Sequence, residues 1–196
     1  MSLRRIALAG AGCAIAVALT GLGPDAAFAQ AAKKGAAAPT PPSAAGGGPE
    51  PTLIGQFGAW GAYTASPGGK KLCFALAKPS SMKTNPPNRP RDPAYAFVST
   101  RPQERVVNEV SVMIGYPLKP GSEGSVEAGG AKFAMYTQTD GLWIKNAADE
   151  ERMVEAMRKG DFVVKGVSAR GTESIDTYSA KGLAQALDRL AQDCRR

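Results

Sequence analysis

Short stretches of alternating apolar and polar residues, joined by glycine and proline turns, constrain the fold of this chain most strongly. The alternation predicts strands at residues 53–57, 60–64, 71–77, 95–100, 106–114, 125–128, 131–137, 142–145, 161–168 and 174–178. Most connections between them are too short for a helical crossover, so we expect antiparallel pairing. The sequence therefore predicts a mainly β domain, a compact antiparallel β-sandwich or barrel with two helices, the second C-terminal.

The first predicted helix occupies residues 147–159, with Asn146 as its N-cap and Gly160 as its end. Met153, Val154, Ala156 and Met157 would form its apolar face. The acidic run at residues 149–151 can be explained as helix N-terminal charge or as a site for a hard cation, and we favour the helix charge. We expect no metal and no cofactor.

The closing helix follows Ser179, its predicted cap. Leu183, Leu187, Leu190 and Cys194 recur at helical spacing, which places the last cysteine on the buried stripe of this helix. Cys73 lies in the predicted strand 71–77, on the face opposite Leu72, Phe74 and Leu76.

Residues 1–29 have the pattern of an export signal. Arg4 and Arg5 precede an apolar stretch at residues 6–22, and Ala27-Phe28-Ala29 gives the small-x-small cleavage pattern. Residues 30–51 are rich in alanine, glycine and proline and predict a disordered linker. The folded domain is then expected at residues 52–196, outside the cytoplasm and without a transmembrane segment once the signal is removed.

Cysteine usage agrees with export. Cys13 would leave with the signal, so Cys73 and Cys194 remain as an even pair in an oxidising compartment. A Cys73–Cys194 disulfide is the expected arrangement, and two buried free thiols are the alternative. The expected location is the periplasm, with secretion or outer-membrane association left open.

Charge and composition exclude several classes of function. Residues 52–194 contain 18 basic and 15 acidic side chains, a surplus of +3 that is too small for a nucleic-acid platform. The chain has no histidine, which excludes Ser-His-Asp and Cys-His catalysis and histidine zinc sites. We therefore expect a protein that is not an enzyme.

A proline-rich segment at residues 78–93 carries the sharpest local basic cluster. Its five prolines predict a loop that cannot pair as a central strand. Lys78, Lys83, Arg89 and Arg91 could bind a protein partner or an anionic envelope component, since arginine suits phosphate and carboxylate groups. The alternative is a solvated loop whose arginines pair with Asp92 or Glu104.

Two further functions stay open as alternatives. Ser80 and Lys83 match the Ser-x-x-Lys motif of penicillin-recognising enzymes, which would make the protein a cell-wall or lipid hydrolase. That chemistry needs a helix starting at the serine, and Pro86 and Pro87 follow at once. An apolar barrel interior would instead suit a small-ligand carrier, although strand aromatics more often fill a core. The aromatics in question are Trp60, Tyr63, Tyr95, Tyr116, Tyr136 and Trp143.

Several segments together resemble the invasion-associated locus B family of exported alphaproteobacterial proteins. They are residues 57–60, 71–76, 82–93, 132–136 and 178–187, and the resemblance spans residues 53–194. It implies a periplasmic or surface-associated β-rich domain without established enzymatic activity or catalytic residues to transfer.

The chain departs from this family pattern in its cysteines. Many members have a cysteine where Thr64 stands here, and a further pair in the middle of the domain. This departure argues against a role in host invasion and favours a general role in the cell envelope.

Overall fold

The structure is a computed structural model that describes residues 50–194. The predicted export signal at residues 1–29 and residues 30–49 of the predicted linker lie outside the described residues. The α-helices are α1 (Glu150–Lys159) and α2 (Leu183–Asp193). The strands are β1 (Thr52–Phe57), β2 (Trp60–Ala65), β3 (Leu72–Ala77), β4 (Ser81–Asn85), β5 (Tyr95–Arg101), β6 (Val106–Met113), β7 (Glu123–Ala128), β8 (Ala131–Gln138), β9 (Gly141–Ile144), β10 (Phe162–Val167) and β11 (Glu173–Tyr178).

The described strands form a single antiparallel sheet of eleven strands. Their order is β1-β2-β3-β5-β6-β9-β8-β7-β10-β11-β4. The mainly β, antiparallel class and the two helices expected from the sequence are confirmed. Strand bounds agree with the predicted ones to within one or two residues at most positions.

Two observations show that the sheet folds back on itself. β3 and β4 stand third and last in the order, yet only residues 78–80 connect them, a span of at most about 14 Å. In addition, the ring centroids of Trp60 on β2 and Phe162 on β10 lie 6.3 Å apart. The sheet therefore wraps around one core to which both helices contribute.

Strand alternation determines which side chains enter this core. Val110, Val112 and Ile114 are fully buried, as the sequence predicted for the inward face of this strand. Cys73 belongs to the same core, whereas Phe74 and Leu76 form a second apolar cluster on the opposite face of β3. The two faces of β3 are therefore both apolar.

The closing helix packs its predicted stripe against the core. Leu183, Leu187 and Leu190 are buried, and Cys194 forms a disulfide with Cys73 across a sequence separation of 121 residues. This confirms both the apolar stripe and the pairing. A disulfide is typical of proteins that fold in oxidising compartments.

The predicted cap of this helix was wrong. The N-cap is Gly182 rather than Ser179, because residues 179–182 form a tight connection against the turn between β1 and β2. The Ser179 carbonyl accepts a hydrogen bond from Trp60 Nε1 at 2.8 Å. Gly182 has φ of 98°, and a Cβ there would lie 1.7 Å from the Phe57 carbonyl oxygen, so only glycine fits.

The first helix ends at Gly160 as predicted, but its first turn is 3₁₀, so the α-helix begins at Glu150 rather than at residue 147. Asn146 Oδ1 accepts a hydrogen bond from the Ala148 backbone N–H at 3.2 Å, and a single 3₁₀ turn (Ala147–Asp149) leads into α1. Met153, Val154 and Met157 are buried on its inner face, whereas Ala156 is partly buried. Neither α-helix in the described part of the chain has the length and apolar character needed to cross a lipid bilayer.

Glu150 connects this helix to the sheet and gives a pH-dependent prediction. Its Oε1 accepts a hydrogen bond from the Val110 backbone N–H at 2.8 Å, and burial raises the pKa of its carboxyl. A raised pKa means that the stability from this group is fully present below the ordinary carboxyl pKa. It is lost as the pH rises through the raised value.

We therefore expect Glu150→Gln, which keeps an acceptor without the buried charge, to gain stability relative to the parent between pH 4 and pH 7. Urea unfolding at both pH values measures the difference. A difference that stays constant or reverses between the two pH values would contradict the prediction. Glu151→Gln, at an exposed neighbouring position, is the matched control.

The prediction of a loop at residues 78–93 was incomplete. Residues 81–85 form β4, which pairs only with β11, placing Met82 opposite Asp176 and Thr84 opposite Ser174. Proline excludes central strands but allows an edge strand whose ends it flanks, and here Pro79 precedes β4 and Pro86 follows it. The remaining residues, 86–93, return the chain to β5.

Candidate anion-binding groove

A groove of about 890 Å³ opens beside the proline-rich return segment. Residues 86 and 89–92 of that segment form one side, and the β10–β11 turn at residues 168–172 also lines it. Residues 115–117, which follow β6, complete the lining. Its volume is within the range of sites that bind small molecules or the side chains of a partner.

Arg91 anchors the return segment at this groove. Its Nη1 donates to Asp176 Oδ2 at 2.8 Å and to the Ile114 carbonyl oxygen at 3.1 Å, and its Nη2 donates to Asp176 Oδ1. The Arg91 side chain is 5% exposed and that of Asp176 is 0% exposed. This bidentate pair fixes the position of the segment over the sheet.

Burial and the Arg91 cation have opposite effects on the pKa of the Asp176 carboxyl. Burial raises the pKa of Asp176, and the hydrogen bonds and charge of Arg91 act in the opposite direction. The Arg91 guanidinium also lies 5.9 Å from the ring centroid of Tyr116, which lines the groove. Burial raises the pKa of the Tyr116 hydroxyl, so this group is neutral at physiological pH.

The structure corrects the expected role of Arg91. The sequence grouped it with cations available to a partner, or with arginines that pair with Asp92 or Glu104. Instead, Arg91 is buried against Asp176, and Glu104 pairs with Arg101 at 2.7 Å. The reason is that the sheet brings Asp176 of β11 beside the return segment, a contact between positions distant in sequence.

Two exposed arginines line the groove from separate segments. Arg89 lies on the return segment and Arg170 on the β10–β11 turn. Among residues 50–194, neither guanidinium has an ion pair or a side-chain hydrogen bond. Their positions are supported by the backbone, since Thr84 Oγ1 accepts from the Arg89 N–H at 3.1 Å and Ser168 Oγ accepts from the Arg170 N–H at 3.3 Å.

Charge in the groove is positive. With Arg91 neutralised by Asp176, the remaining charged lining residues are Arg89, Arg170 and the single acidic residue Asp92. Two guanidinium groups with free donors fit an oxygen anion such as a carboxylate or a phosphate.

The structure separates the other two predicted cations from this groove. Lys83 is exposed on β4 opposite Ile175, and its side chain points to the outer face of the sheet. Lys78 Nζ lies 5.6 Å from the ring centroid of Tyr95. Of the predicted set, the groove therefore contains Arg89 and Arg91, and it adds Arg170. Arg170 was not among the residues predicted from the sequence, because it lies outside the basic cluster at residues 78–93.

The Ser-x-x-Lys spacing lies on extended backbone. Ser80 Oγ donates to the Thr177 carbonyl oxygen at 3.1 Å, and Lys83 belongs to strand β4 rather than to a helix beginning at Ser80. The helical turn that brings serine and lysine together in penicillin-recognising enzymes is therefore not formed at these residues.

Aromatic side chains contribute to the packed core among the described residues. Trp60, Phe162 and Tyr178 are fully buried, and the rings of Phe162 and Tyr178 stack with centroids 5.2 Å apart. Trp60 is thus a core residue, whereas Tyr116 lines the groove.

The chain was compared with protein-family models, curated proteins and solved structures. None of them matches it. The groove and its two unpaired guanidinium groups are therefore the observations on which a function can be based.

Proposed function

We propose that this protein is an exported, non-enzymatic binding protein of the cell envelope, resembling the invasion-associated locus B family. In this proposal the groove holds an anionic group of a protein partner or of an envelope component. The observation that carries it is the pair of exposed guanidinium groups, Arg89 and Arg170, without partners of their own among the described residues.

Export is supported by the disulfide and by the sequence pattern at residues 1–29. The Cys73–Cys194 bond is the kind of covalent link that persists in oxidising compartments such as the periplasm. The order of the family-like segments supports the same location, and the departure in cysteine pattern supports a general envelope role over host invasion.

The chemistry of the groove supports a binding role rather than a catalytic one. The chain has no histidine, and the Ser168 hydroxyl in the groove lining already accepts backbone hydrogen bonds from Arg170 and Thr172. The Tyr116 hydroxyl donates to the Thr172 carbonyl oxygen at 3.4 Å. These hydrogen bonds stabilise the turn that carries Arg170. The groups available to bind an anion are therefore the guanidinium groups of Arg89 and Arg170.

The test replaces both exposed arginines of the groove. We expect Arg89→Ser with Arg170→Ser to lower affinity by at least about tenfold, because each charge-assisted hydrogen bond contributes about 1.5–3 kcal/mol. Binding is measured on vesicles containing phosphatidylglycerol and, separately, on a glutamate-rich peptide. The two probes distinguish a lipid phosphate from a protein carboxylate.

The matched control is Arg105→Ser with Lys159→Ser, which removes the same charge at exposed positions away from the groove. Equal losses of affinity in the two double variants would show non-specific attraction and contradict the proposal. If the parent protein binds neither of the two probes, the proposal is also contradicted. A fluorophosphonate or fluorescent penicillin is applied to the same preparation, and covalent labelling of Ser80 would contradict the non-enzymatic assignment.

A further inference from the structure

A second surface, on the outer face of the sheet, carries two stacked aromatic rings that belong neither to the core nor to the anion-binding groove. Tyr136 of β8 and Trp143 of β9 lie directly opposite each other in the strand register. Their ring centroids are 5.9 Å apart and their planes are inclined by 23°. Tyr136 is 44% exposed, and Trp143 is half-buried.

The backbone allows the indole to lie along the sheet. A Cβ at Gly141 would lie 2.3 Å from Trp143 Cη2, so a residue with a side chain there would displace the ring. Because position 141 is glycine, Trp143 and Tyr136 form a platform across two strands. Within the described residues, the Tyr136 hydroxyl and Trp143 Nε1 have no hydrogen-bond partner.

A groove of about 570 Å³ is lined by residues of the strands β7, β8, β10 and β11, and neither Tyr136 nor Trp143 is part of its lining. Glu123 lies opposite Tyr136 on the neighbouring strand β7 and lines the groove together with Ser125 and Ala134. Ser125 and Ala134 face each other across β7 and β8, and their small side chains leave the space that larger residues would fill. Because Glu123 lines the groove and lies opposite Tyr136, the platform and the groove are neighbours on the sheet surface, and we call them together the trough.

The charges around this trough are balanced. Its lining contains two acidic residues, Glu123 and Glu173, and two basic ones, Lys132 and Lys165. Lys165 donates to both oxygens of Glu127 at 2.9 and 3.0 Å, and Glu123 pairs with Lys145. The surface thus offers donors and acceptors without net charge, in contrast to the arginine groove.

Exposed aromatic rings beside balanced polar groups fit a ligand with both apolar faces and hydroxyl groups. A pyranose ring has such a form, because its C–H groups can stack on an aromatic face while its hydroxyls bond to carboxylate and ammonium groups. An anionic ligand would gain little from a lining of zero net charge. A lipid chain would meet charged side chains along most of the trough.

We propose that this trough binds a neutral oligosaccharide, with one sugar ring stacked on Tyr136 and Trp143 and the next rings lying over Ser125 and Ala134. The site is separate from the arginine groove and does not depend on the function proposed for that groove. It would allow the protein to bind envelope glycan on one surface and an anionic partner on another.

The two tryptophans make binding directly measurable. Trp60 is 0% exposed and Trp143 lies at the platform, so a sugar that stacks there changes the emission and acrylamide quenching of Trp143 alone. The full chain is titrated with cellotetraose and, in parallel, with chitotetraose. We expect a saturable blue shift and reduced quenching with at least one of the two sugars.

The variants identify the site. Tyr136→Ala should weaken binding by up to about tenfold, since an aromatic contact contributes about 0.5–1.5 kcal/mol, whereas Tyr136→Phe should retain it. Tyr136 is exposed, so both variants are expected to fold, and their melting curves check this. Tyr95→Ala, on the outer face of β5 and outside the trough, is the matched control.

The proposal is overturned if neither sugar gives a saturable change, if the parent and Tyr136→Ala bind equally well, or if Tyr95→Ala loses as much binding as Tyr136→Ala. The Arg89→Ser, Arg170→Ser variant distinguishes the two sites, because it should leave the sugar titration unchanged. If that variant loses sugar binding as strongly as Tyr136→Ala does, the sugar occupies the arginine groove and the trough proposal fails.

Discussion

Replacing Asp176 with asparagine is expected to lower the free energy of unfolding by about 3–5 kcal/mol, because it leaves the buried Arg91 guanidinium without its counter-charge. The Arg91 and Asp176 side chains are 5% and 0% exposed, so water cannot replace the lost carboxylate. Because asparagine has nearly the same size as aspartate, the loss in the free energy of unfolding measures the missing charge rather than a change in packing. Guanidinium chloride unfolding followed by tryptophan fluorescence gives the value.

Asp188→Asn is the matched control for this prediction. Asp188 pairs with Arg158 at 3.1 Å at the surface, where an ion pair contributes about 0–1 kcal/mol. A combined Arg91→Met, Asp176→Leu variant should recover most of the stability, since apolar residues of similar volume often replace a buried pair without loss. If Asp176→Asn costs no more than Asp188→Asn, the buried pair does not have the structural role described here.

The same variant should also affect the groove. Arg91 is the residue through which the return segment contacts Asp176, and Arg89 lies on that segment only two positions earlier. Loss of the pair would free residues 86–93, which limited proteolysis would detect, and it would displace one of the two guanidinium groups that recognise an anion. Stability and binding are thus linked through Asp176.

Local patterns in the sequence were sufficient to predict most of the fold. Alternation in residues 106–114 correctly placed Val110, Val112 and Ile114 in the core, and helical spacing correctly placed Leu183, Leu187 and Leu190. β4 was missed because residues 81–85 have neither alternation nor strong apolar character, and their pairing is supplied by β11. The helix cap was misplaced because a contact with Phe57, not a local preference, selects Gly182.

The candidate site was less predictable than the fold. Clustering in the sequence located Arg89 and Arg91, but it could not show that β11 presents a carboxylate to one of them and not to the other. Arg170 lies on a turn far along the chain, and only the folded sheet brings this turn to the return segment. Likewise, no local pattern predicted that Tyr136 and Trp143 lie opposite each other on adjacent strands, because this depends on the register of β8 and β9.

The disulfide gives the other large expected effect. Replacing Cys73 and Cys194 with alanine should lower the free energy of unfolding by about 5 kcal/mol on the chain-entropy account, because the bond closes a loop spanning 121 residues. It joins strand β3 to the end of α2, so its loss should first release the helix from β1, β2 and β3. Urea unfolding measures the global loss, and hydrogen exchange of α2 measures the local one.

A reduced sample of the parent separates the two contributions to this loss. Reduction removes the cross-link but keeps both buried sulfur atoms, whereas the alanine variant also loses their packing in the core. We therefore expect the reduced parent to fall between the oxidised parent and the variant, with α2 exchanging faster than α1 in both. An alanine variant within about 1 kcal/mol of the oxidised parent would contradict this account, because the entropy of so long a loop would then contribute little.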